Sequence, residues 1–233
     1  MRILAVADQV EPQLYTNSVL KWLGPVDLLL SCGDLPADYL EFLYSTFNVQ
    51  FMHVKGNHCY VPHDPVTRQC SPNSYPGILD LNGKVVEHEG LLVAGAEGSP
   101  FYNGGPHQYT EQQFTLTLLR LVPGLLANKV RTGRYLDVLV THAPPRGIHD
   151  NNDKAHRGFT TLNAFIQRFR PAVLLHGHTH RYEPMLPVFT DLGATQVLNA
   201  YGHVTMHLEP AEGRAGWQLQ TELLRGVKKW MVT

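Results

Sequence analysis

Five apolar stretches of this chain, each long enough for a buried strand, end in a cluster of Asp, Asn, His or Gly. The stretches are residues 3–7, 28–32, 51–54, 136–141 and 172–176. The clusters that follow them are Asp8, Gly33-Asp34, Gly56-Asn57-His58, His142 and Gly177-His178-Thr179-His180. Short apolar runs of this kind suit parallel strands covered on both faces. Parallel strands deliver their C-terminal ends to one edge of the sheet, where open α/β sheets bind their ligands. Clusters scattered along most of the chain would therefore meet in space.

The segments between these runs support that arrangement. Glu11-Pro12 opens a stretch in which Leu14, Val19, Leu20 and Leu23 are expected on one helix face, stopped by Gly24-Pro25. Pro36 is expected to start a helix with Tyr39, Leu40, Leu43 and Phe47 on one side. Residues 85–88 and 91–94 read as short strands about Glu89-Gly90, and a helix is expected over about 109–121. Leu162, Phe165, Ile166 and Phe169 form a further helical stripe, and short strands follow His180. Alternation of strand and helix favours a parallel sheet with helical covers. No repeat or linker divides the sequence, so residues 1–233 are expected to form a single domain with two sheets.

Composition narrows the function classes. With 19 basic and 20 acidic residues, the net charge of −1 gives no broad positive field for long nucleic acids. No apolar run approaches the roughly 20 residues of a membrane span. The opening Met1-Arg2-Ile3-Leu4-Ala5-Val6 lacks the pattern of a signal peptide. Three cysteines are too few, and odd in number, for a disulfide framework. The expectation is a cytoplasmic protein with no membrane partner.

The clusters carry metal-binding chemistry. His178 and His180 stand two apart just past a strand, where side chains face opposite ways or straddle a turn. They can thus serve two adjacent metals instead of chelating one. Asp8 and Asp34 at neighbouring strand ends would crowd two carboxylates, which without a cation raises one pKa. Asn57 adds an amide oxygen and His142 a ring nitrogen. Such a mixed oxygen and nitrogen set suits Mn, Fe, Zn, Co or Ni better than a thiolate-loving metal. Each cluster alone has an ordinary explanation: Gly33-Asp34 as a capped turn, Asp8 as a helix N-cap, His142 as a hydrogen-bonded core edge. Those explanations do not account for six oxygen and nitrogen donors at successive strand ends.

In this order the clusters resemble the calcineurin-like metallophosphoesterase superfamily, over about residues 1–210. Ser31-Cys32-Gly33-Asp34-Leu35-Pro36 and Thr141-His142-Ala143-Pro144-Pro145 are similar to a bacterial phosphoesterase branch of it. The resemblance implies a four-layer α/β/β/α sandwich, two mixed sheets flanked by helices, with metals at the strand C-termini. It implies that Asp34 bridges two divalent transition-metal ions, the first also held by Asp8 and His180, the second by Asn57, His142 and His178. A metal-bridging hydroxide would attack phosphorus, and His58 would assist the leaving group. The implied substrate is a small phosphate monoester or diester, nucleotides included.

Two positions depart from the family pattern. The usual Asp-x-His is Asp8-Gln9-Val10 here, so one imidazole is missing; Glu11 or a water fills its place, or the first site binds weakly. The acidic residue usual after Gly-Asn-His is Cys59, which leaves His58 without its carboxylate partner, with Asp64 the nearest replacement. These departures sustain an alternative: a catalytically weakened scaffold or binding protein on the same fold. The loops at 59–77, 97–108 and 144–158 would shape the substrate pocket. His107, Arg146, His149, His156 and Arg157 either overhang the metals there and grip phosphate or are simply solvated.

Overall fold

The computed structural model describes residues 1–58, 77–180, 189–211 and 216–220. Cys59 and Asp64 lie outside the described residues. In chain order the elements are β1 (Arg2–Ala7), α1 (Val19–Trp22), β2 (Leu28–Ser31), α2 (Ala37–Phe47), β3 (Gln50–His53), β4 (Ile78–Asp80), β5 (Val85–His88) and β6 (Leu91–Ala96). There follow β7 (Ser99–Pro100), β8 (Gln108–Tyr109), α3 (Glu111–Thr132), β9 (Val138–Thr141), α4 (Thr160–Phe169) and β10 (Val173–His176). The last strands among the described residues are β11 (Phe189–Leu192), β12 (Thr195–Asn199), β13 (Gly202–Pro210) and β14 (Trp217–Leu219).

Among the described residues two six-stranded sheets form the centre, ordered β14-β13-β1-β2-β3-β4 and β11-β12-β10-β9-β6-β5. In the first, β1 to β4 run parallel, and β13 and β14 close one edge antiparallel. In the second, β12, β10, β9 and β6 run parallel between antiparallel edges. Both sheets are therefore mixed.

Strand alternation explains the layering, because successive side chains face opposite ways. Ile3, Ala5 and Ala7 of β1 join Val138 and Val140 of β9 and Val173 and Leu175 of β10 in one core between the sheets. Leu4 and Val6 point outward into a second core with Tyr39, Leu40, Leu43 and Phe47 of α2. Leu139 and Leu174 point outward on the other side, against Phe114, Leu118 and Leu121 of α3 and Leu162, Phe165 and Ile166 of α4. The result is helix, sheet, sheet, helix: the four-layer arrangement expected from the resemblance.

Two helices differ from expectation. The helix about Val19 has only four residues, and Leu20 is exposed, because residues 13–18 turn instead, with Thr16 Oγ1 donating to the Gln13 carbonyl at 3.1 Å. The helix expected over 109–121 runs on through Pro123 to Thr132, since Leu125 and Asn128 are buried beyond the proline.

Candidate metal centre

The first carboxylate stands just beyond β1. Asp8 adopts φ 62°, as Asp34 does at 57° and His178 at 66°. Left-handed backbone is uncommon for residues other than glycine, and Asp, Asn and His tolerate it best. Three such residues at strand ends mark a site where local strain is held by its surroundings. At Asp8 the turn is fixed by its amide donating to the Gly33 carbonyl at 3.1 Å. Its carboxylate accepts the His178 amide at 2.9 and 3.0 Å, which ties the two sheets together at their C-terminal edge.

Asp34 lies at the centre. Its Oδ1 accepts the His58 amide at 2.9 Å, and its Oδ2 faces His142 Nε2 at 3.3 Å and His58 Nε2 at 4.0 Å. His142 is fully buried. Its Nδ1 donates to the Cys32 carbonyl at 2.7 Å, and its Nε2 lies 3.0 Å from Asn57 Oδ1. Ligand atoms of Asp8, Asp34 and His142 all lie within 4.8 Å of one another.

Small residues make this crowding possible. A Cβ on Gly56 would overlap the Asp34 carboxylate, and one on Gly177 would overlap that of Asp8. The glycines in Gly56-Asn57-His58 and Gly177-His178-Thr179-His180 thus seat the carboxylates.

The titration of the group follows from this geometry. Burial pushes Asp8 up to about 7, with His142 opposing and the Asp34 charge adding to it. Burial also presses Asp34 upward, but His142 and the His58 amide hold it below the ordinary carboxylate value. Burial works against a charged His142, yet Asp34 and Asp8 raise it to about 9. Burial and His142 push His178 down to about 3. A neutral His178 with Nε2 donating to the Ala155 carbonyl at 2.6 Å has a bare Nδ1. Its ring lies 4.8 Å from that of His142.

His180 Nε2 is 4.0 Å from Asp8 Oδ1, and its ring is 5.1 Å from that of Tyr201. His58 projects outward with 57% of its side chain exposed. Neither belongs to the tight group formed by Asp8, Asp34 and His142.

Other expectations resolve residue by residue. Glu11 directs its carboxylate at Gly202, where an added Cβ would meet it, and Val10 packs against the core under α2. Of the loop residues, His156 is brought to the site, with its ring 5.3 Å from His178 and 6.2 Å from His180. His149 instead bonds His176 Nε2 at 2.9 Å and Thr190 Oγ1 at 3.0 Å. Sequence reasoning missed Tyr102, whose hydroxyl accepts from Asn57 Nδ2 at 3.1 Å, and the carbonyls of Cys32 and Ala155 that orient two imidazoles. The signal for Tyr102 was only its place in a glycine-rich loop; backbone carbonyls leave none.

The donor set fits a divalent ion. Donors about 2.1 Å from one ion and at least a right angle apart stand about 3 Å or more from each other. Asn57 Oδ1 and Asp34 Oδ2 meet that condition against His142 Nε2, at 3.0 and 3.3 Å.

The calcineurin-like phosphoesterase family matches residues 1–182, and the chain belongs to that family. Membership implies a phosphoester hydrolase supported by divalent metal ions. No curated protein matches the chain. Among solved structures, TT1561 of Thermus thermophilus is similar, with TM-score 0.56, 15% identity, and coverage of 88% of this chain and 93% of that one. Phosphopantetheinyl hydrolase of Mycobacterium tuberculosis aligns with TM-score 0.50 and 15% identity, over 85% of this chain and 88% of that one. GAP50, the anchor in the inner membrane complex of Plasmodium, aligns with TM-score 0.53 and 12% identity, over 90% and 81% of the two chains. At these identities the likeness is one of fold. Among the described residues, no helix is long and apolar enough to cross a membrane.

Proposed function

We propose that the chain hydrolyses small phosphate monoesters or diesters, with divalent metal ions held by Asp8, Asp34, Asn57, His142, His178 and His180. One observation carries the reading: two buried carboxylates and a buried imidazole converge within 4.8 Å at the strand C-termini. Left to protons alone, the group is frustrated, with Asp8 raised to about 7 beside the Asp34 charge. Cations held there would neutralise phosphoryl oxygens and lower the pKa of an attacking water.

The chain's own residues do the rest. Asp34 is shared between the two halves of the site, Asp8 with His180 and Asn57 with His142 and His178. His142 keeps its Nδ1 proton on the Cys32 carbonyl, which fixes the ring and leaves Nε2 as the donor. The Ala155 carbonyl does the same for His178 through Nε2, leaving Nδ1. His58 is exposed beside Asp34 and gives a proton or hydrogen bond to the leaving-group oxygen.

The test is turnover of aryl phosphate monoesters and diesters by the purified chain loaded with manganese. Asp34→Ala and Asn57→Ala are each expected to lower it by more than about 100-fold. A metal-loaded chain that turns over neither ester class refutes the proposal.

A second reading, an interaction scaffold with a weakened site, is favoured by Val10. Where the family places an imidazole, Val10 packs into the apolar core instead. That reading predicts substoichiometric metal by elemental analysis and partner binding indifferent to Asp34→Ala. Stoichiometric metal together with ester turnover excludes it.

A further inference from the structure

A cleft of about 670 Å³ lies between two loops, each of which touches the candidate metal centre. One wall is the loop joining β7 to β8. Gln108 Oε1 accepts the amides of Tyr102, Asn103 and Gly104 at 3.2, 3.1 and 3.1 Å, so the loop is folded around one side chain. It directs the Tyr102 hydroxyl to Asn57 and leaves Phe101 58% exposed over the cleft.

The other wall is the loop between β9 and α4. Asp150 accepts the amides of Gly147 and Gly158 at 2.9 and 3.0 Å, and Asp153 those of Ala155 and His156, both at 3.0 Å. Ala155 and His156 lie against His178 and His180. Lys154 and Arg157, on either side of that pair, line the cleft. Among the described residues neither forms an ion pair, whereas Arg146 is neutralised by Asp150 at 3.0 Å. Glu111, the carboxylate of the cleft, is engaged by the Thr160 and Thr161 amides at 2.8 and 3.3 Å.

From this geometry we infer that the cleft receives the leaving portion of the ester, and that this portion carries an aromatic ring and a second anionic group. Nucleotides that carry a second phosphoryl group have that chemistry. The inference rests on the phosphoesterase reading and adds the substrate class. Phe101 offers an open ring face for stacking. Among the described residues Lys154 and Arg157 form no ion pair, and with Arg146 tied to Asp150 and Glu111 tied to two amides they are the cations of the cleft left to meet an anion. Both loops are held by repeated hydrogen bonds to a single side chain, Gln108 in one and Asp150 and Asp153 in turn in the other, so little ordering is needed on binding. A minimal monoester would use none of these features.

The probe is adenosine 5′-(α,β-methylene)diphosphate, which carries a ring and two anionic groups and is not hydrolysed between them. It is titrated calorimetrically into the full chain loaded with manganese. Saturable binding is expected, weakened about tenfold in the Lys154→Ala/Arg157→Ala double variant and about fivefold in Phe101→Ala. Methylenediphosphonate, which lacks the ring, is expected to bind more weakly and to be indifferent to Phe101→Ala. No saturable binding, or variants all within about twofold of wild type, overturns the inference. All three changes are at exposed positions, and circular dichroism verifies the fold. Ester turnover by the same preparations separates the two readings. A chain that binds the probe through these residues but turns over no ester sinks the phosphoesterase reading alone. A chain that turns over simple esters while its variants bind normally sinks the cleft alone.

Discussion

His142 holds two protons in the metal-free chain, for reasons that can be followed atom by atom. Nδ1 donates to the Cys32 carbonyl, and Nε2 faces Asn57 Oδ1 and Asp34 Oδ2, so the charged ring is favoured and titrates near 9. The folded value lies above the unfolded one of about 6.5. Stability from this residue is therefore fully present below pH 6.5 and is lost as pH rises through 9. Asp8, raised to about 7, acts in the same direction over a lower window. A divalent ion would replace the Nε2 proton, so binding should release protons and tighten with pH. The melting temperature of chelator-treated chain is expected to fall between pH 7 and 9, and His142→Gln to flatten that slope. Added manganese should raise the melting temperature more at pH 9 than at pH 7. A metal-induced shift independent of pH would contradict this account. Gly56 is tested separately. An alanine Cβ there would overlap the Asp34 carboxylate and lie 2.7 Å from His142 Cε1. Gly56→Ala is expected to lose metal by elemental analysis and about 1–3 kcal/mol of stability in urea denaturation.

Elements were legible where one rule acted alone. For α2, the buried positions Tyr39, Leu40, Leu43 and Phe47 are those its periodicity predicts. The β5–β6 hairpin turns at Glu89-Gly90, both with positive φ, as the dipeptide suggests. Reading failed where rules competed. In 13–18, the Thr16 hydroxyl donates to the Gln13 carbonyl and meets the Ser18 hydroxyl, and the turn so formed shortens α1. The helix expected to end near Leu121 runs on through Pro123 in α3, because burial on the second sheet carries it across. Strand β4 follows no alternation and exists through its ladder to β3. The start of α3, by contrast, has a local cause: Thr110 Oγ1 accepts the Gln113 amide at 3.3 Å, and Gln113 Oε1 accepts the Thr110 amide at 2.9 Å. Thr110→Ala is expected to lower unfolding free energy by about 1 kcal/mol with an unchanged urea slope. An effect below about 0.3 kcal/mol would mean that packing alone fixes this end of the helix.

At the scale of the whole molecule, the donors come from both sheets. Asp8, Asp34 and Asn57 follow β1, β2 and β3 of one sheet, and His142 and His178 follow β9 and β10 of the other. The strand ends were readable because parallel strands buried on both faces leave continuous apolar runs. The bonds that cross between sheets were not, since the Asp8 carboxylate on the His178 amide and His142 on the Cys32 carbonyl join positions 170 and 110 residues apart. A metal bound at this edge should therefore act as a clasp between the layers. Ligand at 100 times its dissociation constant stabilises the native state by about 2.7 kcal/mol, and more tightly bound metal by more. If residues 1–233 form one domain, chelation should lower the midpoint of a single unfolding transition, without splitting it. Hydrogen exchange should then slow on metal addition at the C-terminal ends of β1, β2, β9 and β10 together. Protection confined to one sheet, or a second transition on chelation, would show that the ions belong to one layer and that the sheets are held by their shared apolar core alone.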